Sequence, residues 1–271
     1  MARVSSTFDV GRPQWLGRLG NVRNVVRQEL IARQLDRHLP AGPVHILDVG
    51  AGQGTQSLRL ARAGHLVVSV EPDPDMRAAF AQALGDEPDD VRDRVELRAG
   101  GVDDLAAVVG DETYEAVLLL GVLMYLPAGP PVIAALARPI APGGFLAVAA
   151  RTTTSALWRP AARQDWPAAL AAFAEYDAAR AEGRDMRYRN EIGTPARADD
   201  FGDLTAAAAE HGLHLENWYG VRIAVDVEEL DPPPPDDPGQ LAALLDVEDR
   251  LGATDPYRQL GQLAHLILRR A

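Results

Sequence analysis

Residues 44–49 form an apolar run that ends in Asp48-x-Gly50-x-Gly52-x-Gly54, with Ala51 between the first two glycines, and a helical pattern starts at Thr55. Glycine tolerates positive φ and lets the backbone approach a ligand closely. A strand entering such a turn and leaving as a helix sets the ligand beyond the strand's carboxyl end. The next apolar run closes on Glu71, whose carboxylate can accept both hydroxyls of a ribose. The chemistry implied is the holding of a nucleoside-bearing cofactor. A dinucleotide fingerprint would space its glycines as GxGxxG. Here the third glycine comes one residue early, and an acid precedes the first by two.

Two further stretches follow the third and fourth runs: Gly100-Gly101-Val102-Asp103 and Leu120-Gly121-Val122-Leu123-Met124-Tyr125. Asp103 either contacts an adenine through its side chain or caps the helix behind it. The chain has no cysteine, which removes disulfides, thiolate nucleophiles and Cys-ligated metal. Its six histidines are scattered with no HxH or HExxH spacing, so no metal is expected.

The elements that position these residues are read from periodicity. Leu16, Leu19, Val22, Val26, Leu30, Ile31 and Leu35 recur at helical spacing, predicting a helix over 14–39. Strands are predicted at 44–49, 66–70, 94–98, 116–120 and 145–150, with helices at 55–63 and 74–84. Apolar strands alternating with helices imply a doubly wound α/β fold, its parallel sheet covered on both faces. After residue 150 the alternation stops. Residues 152–211 predict a helical insertion over the sheet's carboxyl edge, with helices near 161–182 and 200–211. Strands return at 213–225 and 264–269, around a loop at 232–235 and a helix at 239–251. The chain is read as one domain, 1–271: a cap (1–40), a cofactor half (41–151), a lid (152–211) and C-terminal strands (212–271).

The spacing of Asp48, the glycines and Glu71 resembles motif I of the class I S-adenosylmethionine-dependent methyltransferases, which implies a Rossmann-like fold and S-adenosylmethionine as cofactor. In that family the stretch at Gly101 and Val102 holds the adenine, and the stretch at Leu120 and Gly121 lines the methionine side. The chain is also similar to the bacterial family that esterifies 5-carboxymethoxyuridine at the tRNA wobble position. That resemblance rests on 27–37 (Arg27-Gln-Glu-Leu-Ile-Ala-Arg-Gln-Leu35-Asp36-Arg37), Ala63-Gly64-His65, Tyr219-Gly220-Val221-Arg222, and Asp255-Pro256-Tyr257-Arg258 with Leu260, Gly261 and His265. It implies that Arg27 binds the cofactor's carboxylate, a pairing that suits the guanidinium fork. Arg151, Tyr219, Arg222, Tyr257 and Arg258 become candidates for an anionic acceptor, while His65 and His265 are expected to be structural. The family's histidine after strand four is Leu120 here, and its lysine run in the lid is replaced by Arg180, Arg184, Arg187 and Arg189.

Composition limits the partners. Net charge is −12 and every one of the 27 basic residues is arginine. An acidic chain is a poor general nucleic-acid binder. No apolar leader or membrane-length run is visible, so a cytoplasmic location is expected. No side chain presents itself as a catalytic base, which suits an acceptor already ionised at neutral pH. Three functions stay open: O-methylation of a carboxylate, on a tRNA uridine or a small anionic acceptor; O- or N-methylation of a small molecule in an apolar pocket lined by Trp158, Trp166, Phe173 and Tyr176; and cofactor binding without transfer.

Overall fold

The computed structural model describes residues 17–18, 20–190, 192–226 and 232–271. A seven-stranded sheet is built from β1 (His45–Val49), β2 (Leu66–Glu71), β3 (Val95–Ala99), β4 (Tyr114–Leu120), β5 (Ile140–Ala150), β8 (Leu213–Val221) and β9 (Leu263–Arg270). Its order is β3-β2-β1-β4-β5-β9-β8. The first five strands run parallel, and β9 is antiparallel to both β5 and β8. The alternation of side chains gives each face its own core. Leu47, Val49, Val117, Leu119, Leu146 and Val148 meet helix α4 (Gly129–Ala137) on one side. Ile46, Leu118, Phe145, Ala147 and Ile267 meet α1 (Val22–Asp36) on the other. Burial on both faces is why the strands read as unbroken apolar runs.

The chain turns left in sheet order from β1 to β2 and β3, and right to β4 and β5. The reversal lies between β1 and β4, so a crevice opens at their carboxyl ends. Helix α2 (Thr55–Arg62) follows β1. Helix α3 (Pro74–Gly85) follows β2, with Asp73 accepting from the amides of Asp75 and Met76 as its cap.

Several expected elements differ. The N-terminal helix begins only at Val22, because Asn21 accepts from the Asn24 amide and caps it. Leu16 and Leu19 lie outside the described residues. The helix expected at 161–182 is two helices, α5 (Thr153–Ala162) and α6 (Trp166–Glu182). Gln164 at φ 59° breaks the run, and Asp165 caps the new helix. The lid is not wholly helical. Gly183 ends α6 in the left-handed region, and a hairpin of β6 (Met186–Arg189) and β7 (Pro195–Ala198) follows. Helix α7 (Phe201–Glu210), capped by Asp200, matches the expected one closely. Strand β8 stops at Val221, short of 225, because Arg222 takes φ 62°. Helix α8 (Pro238–Ala253) then packs near α1, with Asp249 paired to Arg37. No helix among the described residues is long and apolar enough to cross a membrane.

Candidate functional site

A cavity of about 950 Å³ opens at the carboxyl ends of β1, β2 and β4. That volume is in the range that encloses a cofactor-sized ligand. Its floor is the glycine turn. Gly50, Gly52 and Gly54 all have positive φ, and two of them are also sterically required. A Cβ on Gly50 would sit 2.6 Å from a Val122 methyl, and one on Gly54 2.4 Å from the Phe80 ring. Gly54 therefore ties the turn to α3, although it does not itself line the cavity.

Glu71 is buried at the end of β2. Its carboxylate accepts from the Gly52 amide (2.8 Å) and the Asp73 amide (2.9 Å), so it fixes the turn while keeping lone pairs for hydroxyl donors. Burial pushes its pKa up, against those two hydrogen bonds. Asp48 is also raised, to about 6, chiefly because it is buried; the Ser57 hydroxyl donates to it at 2.6 Å. Asp48 thus ties the end of β1 to α2.

Of the expected cofactor set, Arg27, Asp48, Gly50, Ala51, Gly52, Glu71, Gly101, Val102, Leu120 and Gly121 line this cavity. Arg27 reaches in from α1, its guanidinium 3.1 Å from where a Gly121 Cβ would lie. Asp103 lines the cavity, whereas the local turn is made by Asp104, which accepts from the Gly101 amide at 2.7 Å. The residue at the head of the helix Leu105–Val109 is Asp104, not Asp103, and its side chain makes no capping hydrogen bond. Among the described residues no group of side chains could hold a metal ion.

Sequence reasoning missed part of the wall. Gln28 and Gln56 join α1 to α2 through the Gln56 amide, which donates to the Gln28 carbonyl (2.9 Å) and side chain (2.6 Å). Met76, Arg77, Ile31 and Leu126 also line the cavity. Arg77 donates to the carbonyls of Glu71 and Pro72, both at 2.8 Å. The Asp-Pro pair at 73–74 was a legible signal for this helix start; the Gln28–Gln56 pair had none.

The expected acceptor residues stand elsewhere. None of Arg151, Tyr219, Arg222, Tyr257 and Arg258 is on the cavity lining. Sheet order gives the reason. Strand β8 lies four strands from β1, about 19 Å away at ordinary strand spacing. Tyr219 is buried, its hydroxyl 2.8 Å from His38 Nε2 and accepting from Asn217 at 3.0 Å. Arg222 is buried and donates to Asp226 at 2.7 Å, a carboxylate that Arg23 of the cap also reaches at 3.0 Å. Arg159, from the lid, donates to the carbonyls of Ile223 (3.2 Å), Leu260 (2.7 Å) and Arg222. Burial lowers the Arg159 pKa to about 10. Arg258 pairs with Asp255 and stacks 4.3 Å over Trp218. Arg151 is buried over the Tyr188 ring at 4.9 Å. Tyr257 is exposed. The two histidines have structural partners: His65 Nδ1 accepts from the Val44 amide, and His265 meets Gln34 at 2.8 Å.

The methyltransferase domain family matches residues 47–148. The ubiquinone biosynthesis O-methyltransferase of Xanthomonas axonopodis pv. citri is 28% identical over 199 residues, covering 73% of this chain and 72% of that protein. The enzyme of the same name from Xanthomonas oryzae pv. oryzae is 34% identical over 133 residues, 48% of this chain and 51% of its own length. Among solved structures, a possible histamine N-methyltransferase from Thermotoga maritima superposes with a TM-score of 0.55 at 15% identity, covering 98% of this chain and 94% of that one. The 1,6-didemethyltoxoflavin-N1-methyltransferase of Burkholderia thailandensis gives 0.55 at 16% identity, over 100% and 92%. At such identities the structures speak to the fold, which is the one described above. With the domain match and the order of Asp48, the glycine turn and Glu71, the chain is a class I, S-adenosylmethionine-dependent methyltransferase.

Proposed function

We propose that this enzyme O-methylates a small acceptor whose oxygen is already ionised at neutral pH, a carboxylate or an acidic enol or phenol. The residues on the cavity fit the cofactor. Glu71 suits the ribose hydroxyls, the stretch Gly101–Val102–Asp103 the adenine, and Arg27 the amino-acid carboxylate beside Gly121. Bound so, S-adenosylmethionine supplies a methyl group on a sulfonium, open to in-line attack by an acceptor lone pair. The chain's part is alignment and exclusion of water.

One observation carries the reading of the acceptor. The wall on the Arg27 side is Ile31, Gly121, Val122, Tyr125 and Leu126, and the described lining includes no histidine. Of the buried carboxylates, Glu71 accepts from the Gly52 amide of the glycine turn and Asp48 from the Ser57 hydroxyl of α2. Of the other carboxylates on the lining, Asp73 caps α3, Asp104 accepts from the Gly101 amide and Asp103 stands in the stretch assigned to the adenine, so an acceptor arriving there must bring its own ionised nucleophile. The relatives' printed names, O-methyltransferases, support oxygen as the atom methylated.

The proposal stops short of tRNA. Arg184 is paired with Glu175 and Glu182, Arg180 donates to Tyr176, and Arg189 donates to the Gly193 carbonyl. Of these only Arg184 has its charge answered by carboxylates, and the net charge of −12 weighs further against a polyanionic acceptor. It also stops short of an apolar pocket in the lid, because Trp158, Trp166 and Phe173 face solvent and none of them lines the cavity. Transfer of labelled methyl to benzoate, to phenylethanol and to bulk tRNA, each at two salt concentrations, tests the reading. Benzoate turnover that changes little with salt is expected. Turnover of the alcohol with none of the carboxylate would refute it, and salt-steep turnover of tRNA would restore the nucleic-acid acceptor.

A further inference from the structure

The β6–β7 hairpin touches four consecutive residues of the turn after β4, two of which, Tyr125 and Leu126, line the cavity. After β4 the chain makes a 3-10 turn at Leu123–Tyr125, then Leu126 leads to α4. This turn is a wall of the cavity through Val122, Tyr125 and Leu126. It also packs over the glycine loop, since Val122 fills the space a Gly50 Cβ would need.

Arg197 of β7 comes up behind that wall and is buried. Its Nε donates to the Leu126 carbonyl at 2.7 Å, and one terminal nitrogen donates to the Leu123 carbonyl at 3.1 Å. The other terminal nitrogen meets Asp185 at 3.1 Å and Asp199. Two more contacts come from the same hairpin. Asn190 Nδ2 donates to the Tyr125 hydroxyl at 2.8 Å, and the Tyr188 hydroxyl lies 3.6 Å from the Met124 sulfur. Asn190 is itself held, accepting from the amides of Ile192 (3.1 Å) and Thr194 (2.9 Å).

We propose that the hairpin is a clamp on the acceptor-side wall of the cofactor cavity, and that Arg197 is its positioning residue. The planar guanidinium suits the task. Its fork spans two carbonyls three residues apart while its far side answers two carboxylates, a set that a single ammonium cannot reach at once. Through these bonds the lid fixes where Val122 and Tyr125 stand relative to Gly50 and Gly121. Misplacement by an ångström is costly for an in-line displacement. The placing of the acceptor at this wall rests on the proposed function above; the clamp itself rests only on the cofactor site.

The test separates clamp from fold with two variants. Arg197→Lys keeps the charge facing Asp185 and Asp199 but cannot span both carbonyls. Arg197→Gln loses the charge as well. Amide exchange, thermal melting and calorimetric titration with S-adenosylhomocysteine are measured on each full-length protein. For Arg197→Lys the expected result is at least a tenfold faster exchange at Tyr125 and Leu126, with Gly50–Gly54 amides and melting close to wild type. Its affinity for S-adenosylhomocysteine should fall about three- to tenfold. Arg197→Gln should show the same loosening together with a lower melting temperature. Wild-type exchange at Tyr125 and Leu126 in a folded Arg197→Lys protein would overturn the clamp, as would a rise spread evenly over the sheet. If both Arg197 variants fail to fold, Asn190→Ala decides: faster exchange confined to the turn supports the clamp, and unchanged exchange overturns it. None of these outcomes depends on which acceptor the enzyme uses, so failure of the acceptor reading would be seen separately in the transfer assays.

Discussion

The middle of the sheet and its β8 edge use the same residue types for opposite purposes. Around β1, β2 and β4, charged groups line an open cavity: Arg27, Asp48 and Glu71 all border space that a ligand can fill. Around β8, β9 and the lid, charged groups are bonded to one another and to backbone carbonyls. Asp226 is fully buried between Arg23 and Arg222, and Glu248, equally buried, accepts from the amides of Ile223, Ala224 and Val225. An arginine in a family-like motif is therefore weak evidence for a ligand until its partners are known. On the proposed function the first region recognises the cofactor; the second ties α1, α5 and the sheet edge together.

The sharpest way to break this contrast is Arg222→Ala. Removing one partner of a buried ion pair costs about 3–5 kcal/mol where the other is left uncompensated; Asp226 keeps Arg23 at 3.0 Å, so that figure is the ceiling here. A large drop in melting temperature is expected in a denaturation scan. Unchanged melting with lost turnover would return Arg222 to the acceptor site.

Glu71→Ala follows in size. Loss of hydrogen bonds to a charged group costs roughly 1–3 kcal/mol. Calorimetry with S-adenosylhomocysteine should show that weakening while the fold persists; equal affinity would remove Glu71 from the ribose site.

The legible part of the molecule is the part governed by local rules. Strands β1, β2, β4 and β5 are largely buried, so their apolar runs are visible, while the edge strand β3 is not, and the positive-φ turn could be filled only by glycine. Asp73, Asp165, Asp200 and Asp237 announce helix starts by their residue type. The rest depended on distant partners. The end of β8 is set by Arg222 turning toward Asp226, and the cap's seating by Gln56 reaching Gln28, neither visible in a window of sequence. The hairpin is an intermediate case. Met186-Arg-Tyr-Arg189 and Pro195-Ala-Arg-Ala198 do alternate, but the alanine and arginine content around them favours helix.

A pH experiment sharpens the same contrast. The folded-state pKa of Asp48, about 6, lies above its ordinary value of 3.8. The folded protein therefore holds that proton more tightly than the unfolded chain. This contribution is present at low pH and is lost as pH rises through about 6. Asp199 shifts in the same direction, again by burial. Between pH 5 and 7, Asp48→Asn should flatten the fall in stability by about 1 kcal/mol, at roughly 1.4 kcal/mol per pKa unit. An identical slope in the variant would mean Asp48 is not the group that titrates.

The smallest effect belongs to Arg258→Ala. Its partner Asp255 is half exposed, and such pairs are worth about 0–1 kcal/mol. Melting and affinity for S-adenosylhomocysteine should both stay near wild type. A tenfold loss of cofactor affinity would show that the tail turn reaches the cavity.

The contrast is tested most directly by a crystal structure of the enzyme with S-adenosylhomocysteine. The ribose hydroxyls should lie within hydrogen-bond distance of the Glu71 carboxylate, with the sulfur toward Gly121 and Tyr125 and the Arg222–Asp226 pair intact. A ribose held elsewhere, or a sulfur facing Arg222 and Arg258, would contradict the account.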